Sequence, residues 1–206
     1  VAMERSFGWT RLQLSIALSF TRIEGGILGP IEGYLVDKYG VRRMVLVGLS
    51  VTALGWIFFS QINNLWSFYV AYLIIAFGQG IGGWLALNTL INNWFSRNRS
   101  FAIGLGNSFG RVGPLVIVPL LAWLIDPDFP NRPGWSFTSL CLGIFMLLVA
   151  FPLTRLIKNT PEEYGLLPDG DKLDDSQNKN ISKKSQDSSV DFTVKEALKT
   201  KAFWLI

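Results

Sequence analysis

A few charged side chains lie inside long apolar runs of this chain, where their types and positions suggest chemistry. Arg22 and Glu24 lie near the middle of one run, and Arg111 lies within another. A charge at the centre of a bilayer costs about 3 kcal/mol or more unless it faces water, a partner or a ligand. We therefore expect Arg111, and Arg22 with it, to attract a carboxylate substrate. The alternative is a structural ion pair of Arg22 or Glu24 with Arg111 or with a part of the protein beyond this chain.

The positions of Arg22 and Glu24 also predict how they face. Because they are two residues apart on a helix, their side chains point about 200° apart, so we expect them not to share a side of the helix.

Gln79 and Asn88 are polar groups within a further apolar run. Each must find water or a partner there, and two roles remain open: a substrate-facing role or a hydrogen bond between helices.

Long apolar elements must position these side chains. The chain has 206 residues, half of them hydrophobic, and the apolar residues come in blocks. Blocks of about 20 residues match the length that crosses a hydrocarbon core of about 30 Å. The sequence thus predicts an all-α integral membrane protein with five transmembrane helices, near residues 12–36, 44–62, 65–90, 101–125 and 135–157.

Composition excludes several other classes of protein. The net charge is +4, but the bases cluster at the ends of the apolar blocks, which argues against nucleic-acid binding. The chain has no histidine, and its single cysteine, Cys141, lies in an apolar block, so neither a metal site nor a cofactor is expected. A membrane enzyme would need a catalytic constellation that is hard to build without histidine.

The charged loops predict an orientation in the membrane. Basic residues mark one side, at Lys38, Arg42 and Arg43, again near residues 97–99, and again near residues 155–158. The loops on the other side carry few bases, so the positive-inside rule places the N-terminus outside and the residues after Ile157 in the cytoplasm. We expect the protein in the plasma (inner) membrane.

The last quarter of the chain has a different composition. Residues 159–201 are rich in Lys, Asp, Ser and Asn, which predicts a cytoplasmic linker, with a short helix near residues 194–200. Residues 202–206 would begin another span. Because the chain starts without methionine and stops in this apolar run, we interpret it as a fragment of a longer protein.

A short charged corner between the first two blocks carries the most specific pattern. Its sequence is GYLVDKYGVRR, from Gly33 to Arg43. A carboxylate at a helix C-terminus is disfavoured by the helix dipole and seeks a partner elsewhere. An ordinary positive loop explains the arginines but not the acid and the glycines. The characteristic positions are Gly33, Leu35, Asp37, Lys38, Gly40, Arg42 and Arg43.

This corner resembles the signature loop of the major facilitator superfamily of transporters, which follows the second of twelve spans. The resemblance implies that spans two to six of that fold are present here, that residues 159–201 are its central loop, and that a C-terminal half completes it. Residues 161–170 and 191–204 resemble the corresponding segments of monocarboxylate and oxalate–formate type members. It also implies alternating access, with Asp37 and the bases after it locking the cytoplasmic face against the other half. A role of this motif in folding and topology alone is the alternative.

Glycines predict close helix packing. Gly78 and Gly82 lie one turn apart, as do Gly106 and Gly110, and such small-xxx-small pairs let helices approach. Gly113 and Pro114 resemble part of the antiporter motif of the fifth span, although Phe109 replaces its first glycine. Ala76 stands where many proton-coupled drug exporters of the superfamily carry an arginine.

The function implied by the resemblance is secondary active transport of a small organic anion, monocarboxylate-like, together with a coupling ion. A non-transporting sensor with the same fold is the main alternative. A membrane enzyme is the less favoured one.

Overall fold

A computed structural model describes residues 2–126, 133–161, 164 and 166–170 of the chain. This part forms seven α-helices and a 3-10 turn at Pro168–Gly170. The helices are α1 (Ala2–Phe7), α2 (Arg11–Tyr39), α3 (Val41–Phe59), α4 (Leu65–Gly82), α5 (Trp84–Trp94), α6 (Arg99–Ile125) and α7 (Gly134–Leu156). The predicted all-α fold is confirmed.

Four helical stretches are long and apolar enough to cross a membrane, and they are Val41–Phe59, Leu65–Trp94, Arg99–Ile125 and Gly134–Leu156. Helix α2 has 29 residues and carries Arg22, Glu24 and Glu32. At a rise of about 1.5 Å per residue it is also long enough to span, and its charges are what set it apart from the other four. The chain is therefore an α-helical integral membrane protein.

Local sequence signals begin two of these helices. Thr10 and Gln13 form a capping box at the start of α2, and Asn64 and Ser67 form another at the start of α4. In each box both side chains accept hydrogen bonds from backbone N–H groups at the helix start, which lack partners within the helix.

The helix ends differ from the predicted spans at two places. Helix α2 continues to Tyr39 and α3 begins at Val41, so both helices extend into the charged stretch beyond the predicted spans. Gly40 alone separates them. The block at residues 65–90 is not one helix, since the chain breaks at Gly83, between α4 and α5. Three glycines at 80, 82 and 83 weaken the helix there, because glycine is the poorest helix former after proline.

Helix α3 lies at the centre and packs against both α4 and α7. Two buried clusters close the bundle at opposite ends. One lies near the Asn64 turn and is rich in aromatic rings, with members Ala17, Phe59, Ile62, Phe68, Ala71 and Ile75. The other lies near Gly40 and is mainly aliphatic, with members Val36, Val41, Met44, Val45, Ile81 and Ala86. Between these two ends lies the polar region described below.

Most of the predicted linker lies outside the described residues. This holds for the expected helix near residues 194–200 and for the start of a further span at residues 202–206. The first part of the linker, residues 159–161 with Tyr164 and residues 166–170, is described.

Candidate functional site

The charged corner is built around a glycine that no other residue replaces without strain. Gly40 has φ 82° and ψ 151°, a region that side-chain-bearing residues avoid. Its N–H still donates to the carbonyl of Val36, at 2.9 Å, so α2 ends cleanly. Val36 and Val41 on either side are buried. The corner is therefore a fixed reversal rather than a loose loop.

The charged side chains of the corner point outward. Asp37 and Lys38 are exposed in the last turn of α2, and the Lys38 ammonium lies 5.6 Å and 5.5 Å from the ring centroids of Tyr34 and Tyr39. Within the part of the chain that the structure describes, the Asp37 carboxylate has no hydrogen bond or ion pair. Gly33 faces α5, where an added Cβ would lie 3.8 Å from Leu85, an ordinary contact.

The segment after α7 holds this corner from the other end of the chain. Asn159 Oδ1 accepts a hydrogen bond from the backbone N–H of Arg42 at 2.9 Å, and its amide lies 3.3 Å from where a Cβ on Gly40 would be. Its carbonyl accepts from the Asn93 side chain at 3.1 Å, and the Lys158 carbonyl accepts from the Trp94 indole at 2.9 Å. The ends of α3, α5 and α7 are thereby tied together.

Asp169 binds the backbone just before α6. Its carboxylate accepts from the backbone N–H groups of Ser96, Arg97 and Asn98, at 3.1, 2.7 and 3.5 Å. The Arg97 N–H is the main cause that holds the pKa of Asp169 below its usual value. Asn159 thus binds a first-turn N–H of α3, whose N-cap residue Gly40 has no side chain. Asp169 instead fixes the three residues that immediately precede α6.

A groove rich in arginine lies beside the corner. It has a volume of about 430 Å³ and is lined by Arg42 and Arg43 at the start of α3 and by Arg155 at the end of α7. Arg155 also stacks on Phe151, with 4.4 Å from its guanidinium carbon to the ring centroid. This end of the bundle therefore carries the concentration of positive charge that the sequence indicated.

A polar cavity of about 750 Å³ lies between α2, α3, α4 and α5. Arg22, Glu24 and Gln79 line it together with Gly80 and several aromatic rings. The expectation that Arg22 and Glu24 cannot share a side is wrong. The helix fixes the directions of their Cβ atoms, but both side chains are long enough to bend toward one space.

The other substrate-path candidates do not line this cavity. Arg111 is exposed on α6, a helix with no buried residue in the described part, and Asn88 is half-buried on α5. Among the described residues neither Arg22 nor Arg111 forms an ion pair. The structural ion pair that would explain these arginines is thus not formed within this part of the chain.

Gly78 and Gly82 lie against α3. A Cβ on Gly78 would lie 2.5 Å from both Thr52 N and Thr52 Oγ1, and one on Gly82 would lie 2.9 Å from Gly48 Cα. Sequence reasoning missed Gly48, although Gly48 and Thr52 form a small-xxx-small pair that had the same signal. The glycine face formed by Gly48, Gly78 and Gly82 sets the close approach of α3 and α4.

The glycines of α6 behave differently. An added Cβ on Gly106 would make only ordinary contacts with α5, and those on Gly110 and Gly113 would meet nothing within 4 Å. Pro114 is exposed within the same helix. In the described part of the chain, this predicted packing face therefore meets α5 at Gly106 and has no neighbour at Gly110 and Gly113.

Glu32 is the functional candidate that sequence reasoning left aside. It is buried, only 4% exposed, on the side of α2 that faces Gly80. Its signal in the sequence was plain, since a carboxylate within an apolar block needs an explanation.

An exposed apolar helix bundle around a polar cavity, with a charged corner at one end, defines a multi-span membrane protein. Comparison with known proteins identifies the family. The sequence model of the family described as "Major Facilitator Superfamily" matches residues 1–206. The chain belongs to that superfamily.

Three relatives show where the similarity lies within the superfamily. The "Oxalate:formate antiporter" of Oxalobacter formigenes is 30% identical over 122 residues, 59% of this chain and 29% of its own length. "Monocarboxylate transporter 11" of Homo sapiens is 31% identical over 119 residues, 57% of this chain and 24% of its own. The "Membrane sensor protein UhpC" of Salmonella typhimurium is 26% identical over 163 residues, 79% of this chain and 34% of its own. The chain thus spans 24–34% of the length of these relatives, and its resemblance to the oxalate–formate and monocarboxylate type is confirmed.

Proposed function

We propose that this chain is part of a secondary active transporter that carries a small organic anion by alternating access. The observation that supports the anion is Arg22, a cation that lines the polar cavity and has no ion-pair partner among the described residues. A cation held at membrane depth gains most from an anionic ligand, since the ligand replaces the missing counter-charge. The names of the oxalate:formate and monocarboxylate relatives point to the same class of solute.

Arg111 would act from the neighbouring face. It is exposed on α6, a helix that contacts its neighbours mainly through α5 and α7 and leaves the rest of its surface uncovered. In the proposed transporter that surface faces the second half of the fold, so Arg111 would meet the substrate between the halves. Asn88 and Gln79 would contribute uncharged hydrogen bonds along the same path.

The Gly40 corner would be the moving contact. Asp37, Arg42 and Arg43 are exposed around a rigid turn, and Asp37 has its carboxylate at a helix C-terminus. Such a carboxylate is stabilised by a partner brought to it and destabilised when that partner leaves. We infer that the corner latches to the second half in one state and releases it in the other.

The arrangement in the membrane is also a proposal. The protein would lie in the plasma (inner) membrane. The end of the bundle that carries Arg42, Arg43 and Arg155 would face the cytoplasm, and the Asn64 turn would face the outside. The helices α2, α3, α4 with α5, α6 and α7 would be the five spans, and residues 159–201 would be the cytoplasmic linker.

A sensor that does not transport is the second candidate, because one relative carries that name. The other two relatives are named as transporters, and family membership likewise indicates a transporter rather than an enzyme. Uptake by the full-length protein in vesicles separates the two: a sensor would bind solute without moving it.

The test of the proposed function is uptake of radiolabelled oxalate, formate and a panel of other small carboxylates into proteoliposomes. Arg22→Gln and Arg111→Gln should each weaken the apparent affinity for the transported anion, by about tenfold or more if one charge-assisted contact is lost. Arg99→Gln removes an exposed arginine at the start of the same helix as Arg111 and serves as the control. Unchanged affinity in both arginine variants would refute the anion assignment.

A further inference from the structure

The carboxylate of Glu32 is buried in a place that has no evident structural use for it. Only 4% of the residue is exposed, and its Oε1 has no hydrogen-bond partner in the described part of the chain. It lies directly on Gly80 of α4, where an added Cβ would lie 2.7 Å from the Glu32 carboxyl carbon. A buried acceptor without a donor is costly, so a group of this kind is retained when something binds it.

A second carboxyl group lies beside it. Glu24, eight residues earlier on α2, is close enough to Glu32 for the two carboxyl groups to interact, and its own Oε1 is likewise buried without a partner. The residues between them include Gly25, Gly26, Gly29 and Pro30, and Cβ atoms added at those three glycines would meet nothing within 4 Å. The long glutamate side chains therefore have the space along the helix to approach each other.

Glu24 also connects the pair to the cavity. It lines the 750 Å³ space, and so does Gly80, on which Glu32 rests. The titratable groups lining that space are Arg22 and Glu24 from α2 and Tyr72 from α4, while α3 and α5 contribute aromatic rings. The charged group that acts on Glu32 among the described residues is Glu24.

Two neighbouring carboxyl groups whose oxygens are buried cannot both be ionised without a large electrostatic cost, and one proton bound by the pair removes that cost. We propose that Glu24 and Glu32 form a proton-binding site that is loaded and emptied through the cavity. A proton from water on one side would neutralise the pair, and the same proton would return to water on the other side after the bundle rocks. The coupling role rests on the proposed transport function, while proton binding does not.

Proton binding is tested by infrared difference spectroscopy on the purified full-length protein, from about pH 9 down to about pH 4. The wild type should show a carboxylic-acid C=O band that appears as the pH falls. Glu32→Gln, which keeps the shape of the side chain, should lose this band. Glu24→Gln should shift the pH at which it appears. Glu4→Gln, whose carboxylate is ion-paired to Arg11 outside the cavity, should leave that band unchanged.

A further variant tests the proton-binding site without removing either carboxyl group. Gly80→Ala displaces the Glu32 carboxylate, so the band should persist but titrate at a different pH. A Glu32→Gln spectrum identical to that of the wild type would overturn the proposal. So would loss of the wild-type band on adding sodium at constant pH, since the site would then bind a metal cation.

Coupling is tested in proteoliposomes with an imposed pH gradient. Wild-type anion uptake should rise with the gradient, whereas Glu32→Gln should exchange anion for anion without responding to it. If the wild type exchanges anion but ignores the gradient, the coupling role fails and transport stands. If no anion moves while the infrared band still titrates and is lost in Glu32→Gln, the proposed function fails and the proton site stands.

Discussion

Asn159 Oδ1 accepts a 2.9 Å hydrogen bond from the backbone N–H of Arg42, across a separation of 117 residues. The first turn of an α-helix leaves its N–H groups without partners, and Gly40 before α3 has no side chain to satisfy them. Asn159 is thus a cap supplied from a distance. It joins the charged corner to the start of the linker.

Asn159→Ala should destabilise the protein by about 1 kcal/mol, the usual value of an N-cap side chain. The measurement is unfolding of the detergent-solubilised protein by denaturant. Asn63→Ala is the matched control, because Asn63 is exposed in the turn at the other end of α3. Equal stabilities for the two variants would show that the Asn159 contact does not stabilise the fold.

Asp169→Asn should give a pH-dependent loss of stability. Backbone hydrogen bonds, first that of Arg97, hold the pKa of Asp169 below its usual value. The ionised form therefore stabilises the folded state above the unfolded pKa of about 3.9, and this contribution is lost as the pH falls through the lower folded-state pKa. The difference in thermal unfolding midpoint between wild type and variant should be largest near neutral pH and shrink in acid.

The control for that pH dependence is Asn159→Ala, which removes a helix cap whose side-chain amide does not titrate. Its difference in unfolding midpoint from the wild type should not shrink in acid over the same range. A difference for Asp169→Asn that stays constant from neutral to acid pH would contradict the assigned role.

Gly40→Ala should destabilise by about 1–3 kcal/mol, because alanine at φ 82° and ψ 151° occupies a region nearly restricted to glycine. The added Cβ would also press on the Asn159 amide, 3.3 Å away. Gly104→Ala in α6, where an added Cβ meets nothing within 4 Å, should be neutral or slightly stabilising. Denaturant unfolding of both variants decides the matter, and a Gly40→Ala variant as stable as Gly104→Ala would contradict the strain argument.

The sequence predicted those features that depend on short spacing and missed those that join distant residues. Apolar blocks gave the helices, and the pattern from Gly33 to Arg43 located the corner. Nothing in a single chain pairs Asn159 with Arg42, or Glu32 with Gly80, because such contacts depend on how the helices pack. The same limit explains Gly106 and Gly110, whose spacing matches that of Gly78 and Gly82 although the two pairs have different surroundings.

Gly78 is packed tightly against α3, whereas Gly110 has open space beside it. Gly78→Ala should cost about 1–3 kcal/mol, because its Cβ would lie 2.5 Å from backbone and side-chain atoms of Thr52 and force α3 away from α4. Gly110→Ala should instead be tolerated in this part of the chain. Unfolding midpoints of both variants in the same detergent provide the comparison. A destabilised Gly110→Ala would reveal a packing partner for α6 beyond the described residues.

The proposed orientation predicts which cysteines a membrane-impermeant maleimide reaches. With Cys141 replaced by serine, Lys38→Cys places a thiol at the exposed corner, and Asn63→Cys places one at the opposite end of α3. If the arginine-rich end lies in the cytoplasm, intact cells should label Asn63→Cys but not Lys38→Cys, and both should react after permeabilisation. Labelling of Lys38→Cys from outside would reverse the orientation. The Asp37 corner would then lie on the extracellular face, and its role as a cytoplasmic latch would have to be abandoned.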